Sequence, residues 1–472
     1  MTSEILNNDT ICALATPAGG AIAIIRISGS ETFPILLRIF KSQSVNSETI
    51  GQLPTRSLHY GNIVFPIDGS DEQASSQIID EVLVSIFKNP HSYTGEDSAE
   101  ISCHGSSYII AKILEVLIAN GCRMANPGEY TMRAYLNGKM DLSQAEAVAD
   151  LIASTNKATH QMAMSQLRGH FSSELSSLRE QLLRLTSLLE LELDFSDHED
   201  LEFADRSELL EIAQRIESHI SHLVQTFETG QALKNGIPVA IIGKTNVGKS
   251  TLLNKLLKDE RAIVSDIHGT TRDTIEDTID INGVTFRFID TAGIRQTVDT
   301  VEKIGIERTF LAMEKARIIL WLIDEEPSQE ETQVMHDKCK DKSLIIIQNK
   351  IDKEEKIPTS TLSSLTTHFI TISAKFGTNI DQLEKEIYTV ANIPEIKEND
   401  IIVTNARHYE ALTHAATDIS RVIIGLENNL SGDLLAEDLH LVLSDLSEIT
   451  GEGMISSQEV LNNIFSSFWV GK

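Results

Sequence analysis

The segment GKTNVGKS, from Gly243 to Ser250, follows the apolar run IPVAII and opens the helix-forming run STLLNKLL. It fits the pattern G-x-x-x-x-G-K-[ST] in the strand–loop–helix context that this motif requires. Backbone N–H groups of such a loop, with the N-terminus of the next helix, can bind phosphate oxygens. We expect Lys249 to reach the β- and γ-phosphates of a nucleotide and Ser250 to ligate Mg²⁺. The segment therefore predicts an α/β nucleotide-binding domain.

Four further segments follow in the order expected of a guanine-nucleotide site. Asp290-Thr-Ala-Gly293 ends the apolar run VTFRFID, and Thr271 in DIHGTTRD stands where a metal-sensing threonine belongs. Asn349-Lys-Ile-Asp352 follows the run SLIIIQ, and its carboxylate can accept two hydrogen bonds from guanine that adenine cannot supply. Ser373-Ala-Lys375 follows the next run and would close over the base. Motifs at the C-terminal ends of successive strands meet at one crevice, so the sequence predicts a GTPase.

The group that activates the attacking water is less evident. Ile294 follows the DTAG segment, where small signalling GTPases carry a water-orienting glutamine. The downstream segment VEKIGIER offers two candidates, Glu302 and Glu307, either of which could instead belong to a solvated helix face. The side-chain carbonyl of Asn246 could coordinate a monovalent cation beside the phosphates, which would replace the charge of an arginine finger.

Composition limits the remaining possibilities. The chain has 472 residues, with 40 Lys and Arg against 69 Asp and Glu, a formal charge of −29. This balance argues against a protein that coats nucleic acid broadly, because phosphate neutralisation needs clusters of Lys and Arg. Four cysteines without CxxC spacing argue against a zinc ribbon or a disulfide scaffold and favour a reducing compartment. With no signal-like N-terminus and no run of about 18 apolar residues, we expect a cytoplasmic protein.

Changes in the spacing of apolar residues divide the chain into four segments. Residues 1–121 alternate short apolar runs with turn residues, which predicts an α+β domain. Apolar stripes at helical spacing, Leu175 to Leu189 and Leu209 to Phe227, predict an all-α segment over residues 122–230, with its last helix ending at Gly230. Buried strands at α/β spacing fill residues 231–390, and helical spacing returns over 391–472. We interpret the third segment as a P-loop α/β domain inserted into one helical domain.

Several segments together resemble the TrmE-type family of bacterial tRNA-modification GTPases. Within the G motifs these are GKTNVGKSTLLN, AIVSDIHGTTRDTIED, DTAGIRQTVDTVEKIGIER and NKID; outside them they are DTICALATPAGGAIAIIRISG, SYTGEDSAEISCHG, NPGEYTMRAYLNGKMDLSQAEAVADLI and FWVGK. The resemblance covers the whole chain. It implies a folate-binding N-terminal domain that dimerises, a split helical domain and an inserted G domain.

The resemblance also implies a reaction and a partner. Together with the FAD-dependent protein MnmG (GidA), in a heterotetramer or larger complex, a family member adds a carboxymethylaminomethyl-type group to C5 of the wobble uridine of certain tRNAs. Potassium-dependent dimerisation of the G domains drives GTP hydrolysis. Because of the acidic charge balance, we expect tRNA to be bound mainly through the complex.

The family assigns roles to residues of the G domain. Glu302 would be the catalytic glutamate, which favours it over Glu307. Ser250 and Thr271 would hold Mg²⁺, and K⁺ would be held by Asn246, Ser265, Ile267 and Thr270. The residues expected to bind GTP are Asn246, Val247, Gly248, Lys249, Ser250, Thr251, Ser265, Asp266, Ile267, His268, Gly269, Thr270, Thr271, Asp290, Thr291, Ala292, Gly293, Asn349, Lys350, Asp352, Ser373, Ala374 and Lys375.

The family's folate positions fall on charged residues outside the G domain. These are Arg26, Glu100, Lys139 and Lys472, which would bind 5-formyltetrahydrofolate or a related one-carbon folate. A carboxylate suits the amide-like edge of a pterin, and Arg and Lys suit the carboxylates of the glutamate tail. The family usually ends in Cys-x-Gly-Lys, whereas this chain has Trp469 in place of the cysteine. A mechanism in which that cysteine is a thiol nucleophile therefore cannot apply to this chain.

Three alternatives stay open at this point. Cys103 and His104 in SCHG suggest a nucleophilic pair, but no third group that would orient the histidine is apparent, so we favour a turn at a strand end. A ribosome-assembly GTPase acting on ribosomal RNA shares the G motifs. A folate-dependent methyltransferase that uses GTP only for regulation would need the N-terminal domain alone for turnover.

Overall fold

The computed structural model describes residues 9–17, 19–42, 52–65, 77–194, 206–258, 277–289, 310–353, 365–366, 368–394, 400–451, 461, 464–465, 468 and 471. The chain divides into two compact units. The first comprises Met1–Ala149 with Leu446–Lys472, and the second comprises Asp150–Asp445. Each unit has its own sheet and its own hydrophobic core, and each is described separately below.

The first unit is built on a sheet of strands and three short helices. In chain order its elements are β1 (Thr10–Leu14), β2 (Ile22–Ser28), α1 (Thr32–Ile39), β3 (Phe40–Lys41), β4 (Ser57–Phe65), β5 (Gln77–Phe87), β6 (Ser98–His104), α2 (Ser107–Ala119), β7 (Cys122–Met124) and α3 (Glu129–Leu136). Helix α4 (Leu142–Ala153) begins in this unit and ends in the second.

The sheet of the first unit is almost entirely antiparallel. Its strand order is β3-β4-β5-β6-β2-β1-β7, and only the β1–β7 pair is parallel. Apolar residues from one face of the strands pack with α1 and α2, and Ile25, Ile101 and Ile113 at the centre are fully buried. The opposite face carries the polar and aromatic residues described in the next section.

The N-terminal strands and the helix α2 among them agree with the α+β segment predicted from the sequence. The sequence analysis did not identify α1, β3 or β7, each of which is eight residues or shorter. Strand β7 pairs with β1 in parallel, Thr10 opposite Cys122, so the first sheet continues beyond the predicted boundary at residue 121. A strand of three residues carries too little pattern to be recognised without its partner.

The second unit combines long helices with an α/β sheet. Its elements are α5 (Lys157–Leu167), α6 (His170–Asp194), α7 (Arg206–Asn235), β8 (Ile237–Gly243), α8 (Lys249–Lys258), β9 (Asp277–Ile281), β10 (Val284–Phe288), β11 (Ile318–Ile323), α9 (Gln329–Lys338), β12 (Ser343–Gln348), β13 (Phe369–Thr371), α10 (Ile380–Val390), α11 (Ala406–Glu427) and α12 (Gly432–Thr450). Helix α12 ends within the first unit.

The α/β sheet has the order β13-β12-β11-β8-β10-β9 and is parallel except at the β9 edge. Strand β11 is buried along its whole length, and its alternate residues enter two separate cores, Leu320 on one face and Trp321 on the other. This double burial explains the near-continuous apolar runs in the sequence. The edge strand β9, DTIDI, was missed because its polar and apolar residues alternate and only one strand pairs with it.

Helix α7 differs from its prediction in one respect. It does not end at Gly230 but continues to Asn235. Gly230 is buried, and a Cβ atom at this position would collide with the carbonyl oxygen of Val403. The glycine therefore allows close packing between the helix and the chain segment after the sheet, rather than terminating the helix.

The helices that precede and follow the α/β sheet in the sequence pack on each other. The rings of Phe227 in α7 and Tyr409 in α11 stack with centroids 4.1 Å apart. Gln231 Nε2 donates a hydrogen bond to the Thr404 carbonyl at 2.9 Å, and the Val403 N–H donates to Thr226 Oγ1 at 3.0 Å. None of the described helices is long and apolar enough to cross a membrane.

The described C-terminal residues belong to the first unit. Leu461, Phe465 and Phe468 form a small core with Leu142 and Ala145 of α4. Further along, Gly471 has a φ of +97° and lies so close to the Leu14 carbonyl oxygen that a Cβ atom would collide with it. The end of the chain therefore packs beside β1, next to β2.

Replacing Gly230 with alanine tests the packing of α7. We expect Gly230→Ala to lower the melting temperature of the full-length protein, because overpacking of this kind costs about 1–3 kcal/mol. Glu228→Ala, at an exposed position of the same helix, is the matched control and should change stability by less than about 0.5 kcal/mol. Equal melting temperatures for Gly230→Ala and the control would contradict the close approach to Val403.

Candidate functional site

The predicted phosphate-binding loop, from Gly243 to Ser250, joins the end of β8 to the start of α8. Asn246 and Gly248 both have left-handed backbone conformations, with φ of 61° and 105°. A Cβ atom on Gly248 would collide with the side-chain amide of Asn349, so only glycine fits here. Lys249 Nζ donates hydrogen bonds to the carbonyls of Gly243 at 2.6 Å and Lys244 at 2.8 Å. Burial lowers the pKa of Lys249.

The buried side chain of Asn349 connects three of the predicted motifs. Its Nδ2 donates to the Val247 carbonyl of the phosphate-binding loop at 2.8 Å. Its Oδ1 accepts a hydrogen bond from the Ala374 N–H of the SAK segment at 3.0 Å. Since Asn349 is only 5% exposed, water does not compete for these bonds. The NKID, SAK and phosphate-binding loops are thereby brought together at the C-terminal edge of the sheet.

The neighbouring residues of the NKID segment are also oriented by polar contacts. Lys350 Nζ donates to the Asn246 carbonyl at 2.8 Å and to Asp324 Oδ2 at 2.6 Å. Asp352 Oδ1 accepts a hydrogen bond from Ser373 Oγ at 2.8 Å, and this bond lowers the pKa of Asp352. An ionised carboxylate held in this way can accept the two N–H groups of a guanine edge.

Sequence analysis missed two features beside this site. Asp324 directly follows β11, and its position at the end of a buried parallel strand was a usable signal. Lys244 of the phosphate-binding loop forms ion pairs with Glu325 at 2.9 Å and Glu331 at 3.3 Å. These bonds connect the loop to the first turn of α9.

The remaining predicted G-domain residues are only partly within the described chain. Val247 is buried in the sheet core, Ser250 is half-buried in the first turn of α8, and Asn246 and Thr251 are exposed. Residues 265–271, 290–293 and 302 lie outside the described residues. Within the part of the chain that is described, no group of three or more His, Cys, Asp or Glu side chains could hold a metal ion.

In the first unit, Arg26 and Glu100 stand opposite each other on β2 and β6. Arg26 Nε donates to Glu100 Oε1 at 3.0 Å, and Nη2 lies 2.8 Å from the same oxygen. The guanidinium lies 5.5 Å from the ring centroids of both Tyr93 and Tyr130. The hydroxyl of Tyr130, which is fully buried, donates to the Arg26 carbonyl at 2.8 Å.

Lys139 is brought to the same region by a loop. Its Nζ donates to the Pro90 carbonyl at 2.8 Å, and Pro90 belongs to the loop between β5 and β6 that also carries Tyr93. Three of the four predicted folate residues are thus arranged around one loop; the fourth, Lys472, and also Trp469, lie outside the described residues. Tyr93 and Tyr130 were missed, although both lie in segments that carried the family resemblance.

A buried network of charges supports this loop. Arg133 and Glu129, both on α3 and both 4% exposed, are 2.9 Å apart. Arg133 also pairs with Asp9 at 2.8 Å and with Glu96 of the loop at 3.1 Å. Burial alone would raise the pKa of Glu129, but hydrogen bonds from Arg123, the Asn126 N–H and Arg133 lower it overall. Through Glu96, these ion pairs connect the loop to α3.

The structure agrees that Cys103 and His104 are not a nucleophilic pair, but for a different reason than the one predicted. A group that orients the histidine does exist: Asp80 Oδ1 lies 2.8 Å from His104 Nδ1, and Asp80 Oδ2 accepts the His104 N–H at 2.8 Å. The thiol of Cys103 nevertheless faces the hydrophobic core, where burial raises its pKa to about 11. The two side chains lie on opposite faces of β6, so they do not form a nucleophilic pair.

Comparison with known families and structures covers most of the chain. Residues 10–139 match the family of the GTP-binding protein TrmE N-terminus, and residues 142–468 match the MnmE helical domain. The chain also resembles the G domain of the T. maritima FeoB iron transporter, with 22% identity, a TM-score of 0.25, and coverage of 33% of this chain and 99% of that one.

Full-length relatives give the most extensive similarity. The proteins named tRNA modification GTPase MnmE from Phocaeicola vulgatus and Bacteroides thetaiotaomicron are each 53% identical to this chain, covering 99% of it and 100% of their own length. The protein of the same name from Flavobacterium johnsoniae is 49% identical over the same shares of both chains. Identity at this level over the whole length shows that the chain belongs to the MnmE (TrmE) family of tRNA modification GTPases.

Proposed function

We propose that this protein is a GTP-hydrolysing tRNA modification enzyme. The observation that carries the proposal is the set of hydrogen bonds by which Asn349 joins the phosphate-binding, NKID and SAK loops. Full-length similarity to proteins named tRNA modification GTPase MnmE supports the same function. The relatives' names do not favour the ribosome-assembly alternative.

The described residues suggest how the nucleotide is bound. Asp352 accepts the N–H groups of guanine, and Lys249, now bonded to loop carbonyls, turns to the β- and γ-phosphates when they enter. Ser250 and Thr271 would hold Mg²⁺, which neutralises charge on the phosphate oxygens. The hydroxyl oxygens of these two residues fit this ion, because Mg²⁺ prefers oxygen ligands.

For hydrolysis, we assign the water-orienting role to Glu302. Asn246, whose exposed side chain offers an amide oxygen beside the phosphate-binding loop, would hold K⁺ together with Ser265, Ile267 and Thr270. This ion supplies positive charge in place of an arginine finger. Dimerisation of two G domains, driven by this site, would complete the hydrolytic arrangement.

A one-carbon folate such as 5-formyltetrahydrofolate fits the first unit. Glu100, paired with Arg26 at 2.8 Å, matches the amide-like edge of a pterin, and Lys139 and Lys472 match the carboxylates of the glutamate tail. The packing of Gly471 beside Leu14 supports a contribution of the chain terminus to this site. Because Trp469 replaces the usual cysteine, the reaction in this protein proceeds without a thiol at that position.

The partners that we propose are those implied by the family resemblance, and the surface and the charge of the chain support them. On the outer face of the first sheet, Leu58, Tyr60, Ile78 and Leu83 are between 41% and 60% exposed, and Tyr60 stands directly opposite Leu83. An apolar group of this kind suits a homodimer contact. With a net charge of −29, the protein would bind tRNA mainly through the FAD-dependent partner MnmG, with which it modifies C5 of the wobble uridine in the cytoplasm.

The domain organisation that we propose has three parts. An N-terminal domain over about residues 1–121, extended by β7 to Met124, binds folate, and a helical domain is formed from the rest of residues 122–230 together with residues 391–472. The G domain over residues 231–390 is inserted between these halves. The stacking of Phe227 on Tyr409 supports this arrangement, since it joins the helices on either side of the insertion.

Removal of the gene tests the proposed function as a whole. We expect the 5-substituted wobble uridine to disappear from tRNA, as measured by mass spectrometry of nucleosides from cells with and without the gene. A plasmid copy of the gene should restore the nucleoside and serves as the control. An unchanged nucleoside profile would refute the role in tRNA modification.

Replacing Asp352 with asparagine tests the guanine site. The variant loses two hydrogen bonds to a charged group, worth about 3 kcal/mol or more together, so kcat/KM for GTP should fall roughly 100-fold. Xanthosine triphosphate presents a carbonyl where guanine has an amino group, and Asp352→Asn should hydrolyse it better than GTP. Asp341→Asn, an exposed carboxylate of the same unit, is the matched control. Retention of GTP preference by Asp352→Asn would show that Asp352 does not bind the base.

A third experiment tests the assignment of the catalytic glutamate. Glu302→Ala should lower kcat for GTP hydrolysis in K⁺ by about 10²–10⁴ while nucleotide affinity is retained, because positioned acid/base groups contribute rate factors of this size. Glu307→Ala is the matched control, and its kcat for GTP hydrolysis should stay close to that of the unchanged protein. Exchange of K⁺ for Na⁺ should lower the rate of the unchanged protein. A full rate for Glu302→Ala, or equal rates in the two salts, would overturn the corresponding assignment.

A further inference from the structure

Tyr93 presents an aromatic ring beside the Arg26–Glu100 pair. This ring is not among the residues of the folate site proposed above. Its centroid lies 5.5 Å from the Arg26 guanidinium, and the residue is 38% exposed. Tyr130 lies at the same distance from Arg26 but is completely buried. Of these two rings, only that of Tyr93 can be reached by a ligand that contacts Glu100.

The position of the Tyr93 ring is fixed at its hydroxyl end. This hydroxyl forms a hydrogen bond of 2.9 Å with Thr131 Oγ1, and Thr131 is fully buried on α3. The ring is therefore held at one end by a buried partner while part of its surface faces solvent. An aromatic surface that is already ordered loses little conformational entropy when a ligand binds to it.

The loop that carries Tyr93 is itself attached to α3 and the residues after it. Asn137 Nδ2 donates to the Thr94 carbonyl at 2.7 Å, and Lys139 Nζ donates to the Pro90 carbonyl at 2.8 Å. The buried Arg133 pairs with Glu96 at 3.1 Å. Gly95, with a φ of +80°, lies against Asn137 and Lys139, where a Cβ atom would stand 3.1 Å from the nearest atom. These contacts support a single loop geometry.

We propose that Tyr93 is the stacking surface for the planar pyrimidine half of the folate's pterin ring, while Glu100 binds the polar edge of that ring. This inference rests on the folate site proposed above. It follows from the combination of groups at one place: an exposed aromatic ring, a carboxylate paired with a guanidinium, and a lysine bonded to the loop that carries the ring. A bicyclic pterin matches the first two groups at once, whereas a carboxylate tail matches only the lysine.

The test compares two substitutions of Tyr93 in the full-length protein by isothermal titration calorimetry. Tyr93→Leu removes the ring but keeps an apolar side chain, and it should weaken binding of tetrahydrofolate about tenfold, the effect expected for loss of one aromatic stacking contact. Tyr93→Phe keeps the ring, and its affinity for tetrahydrofolate should remain within about threefold of that of the unchanged protein. Tyr108→Leu, at a 63% exposed tyrosine of the same unit, is the matched control and should bind normally.

Fragments of the ligand separate stacking from a general loss of structure. Tetrahydropterin should lose affinity for Tyr93→Leu, whereas p-aminobenzoylglutamate, which has the tail without the pterin, should bind all variants equally. Equal affinity of Tyr93→Leu and the unchanged protein for tetrahydrofolate would overturn the role of Tyr93. An equal loss of affinity for tetrahydropterin and for p-aminobenzoylglutamate would also overturn this role, because it would indicate a disordered loop. Absence of folate binding to the unchanged protein would instead refute the folate site itself.

Discussion

The side-chain amide of Asn349 holds together loops that are far apart in the sequence. It donates to Val247 and accepts from Ala374, which lie 102 residues before it and 25 residues after it. Both bonds are buried, so their loss would leave two backbone groups without partners and cost about 1–3 kcal/mol for each. The phosphate-binding loop can approach this amide only because residue 248 has no side chain. The predicted phosphate site and the predicted base site thus share one buried hydrogen-bonding group.

The α/β sheet makes this convergence possible. Strands β8, β11 and β12 are parallel neighbours, so their C-terminal ends deliver the phosphate-binding loop, Asp324 and the NKID segment to one edge. Burial on both faces keeps the strands in register, with Leu320 and Trp321 entering opposite cores. In the first unit the candidate site residues are brought together in a different way. Arg26 and Glu100 are paired across antiparallel strands, and the loop beside them is held by the buried Arg133. Each site therefore depends on a backbone arrangement that is stabilised away from the ligand.

The parts of the structure that were predictable from sequence are those with a strong local pattern. The run IILWLI could only be a strand buried on both faces, and the leucines from 175 to 189 could only form one face of a helix. Contacts between distant segments could not be predicted. Asp80 comes 24 residues before His104, and nothing in the sequence pairs them. The sequence predicted that Gly230 ends its helix. The glycine is instead needed because a side chain would clash with Val403, which lies more than 170 residues away in the chain and is not linked to Gly230 by any sequence pattern.

The most direct test of this account asks whether guanine recognition at Asp352 controls tRNA modification. The measurement is the yield of modified wobble uridine in a reconstituted reaction that contains the partner flavoprotein, tRNA and either the unchanged protein or Asp352→Asn. We expect the unchanged protein to modify tRNA with GTP, and Asp352→Asn to do so much better with xanthosine triphosphate than with GTP. Full modification by Asp352→Asn with GTP, or by either protein without a nucleotide, would contradict it.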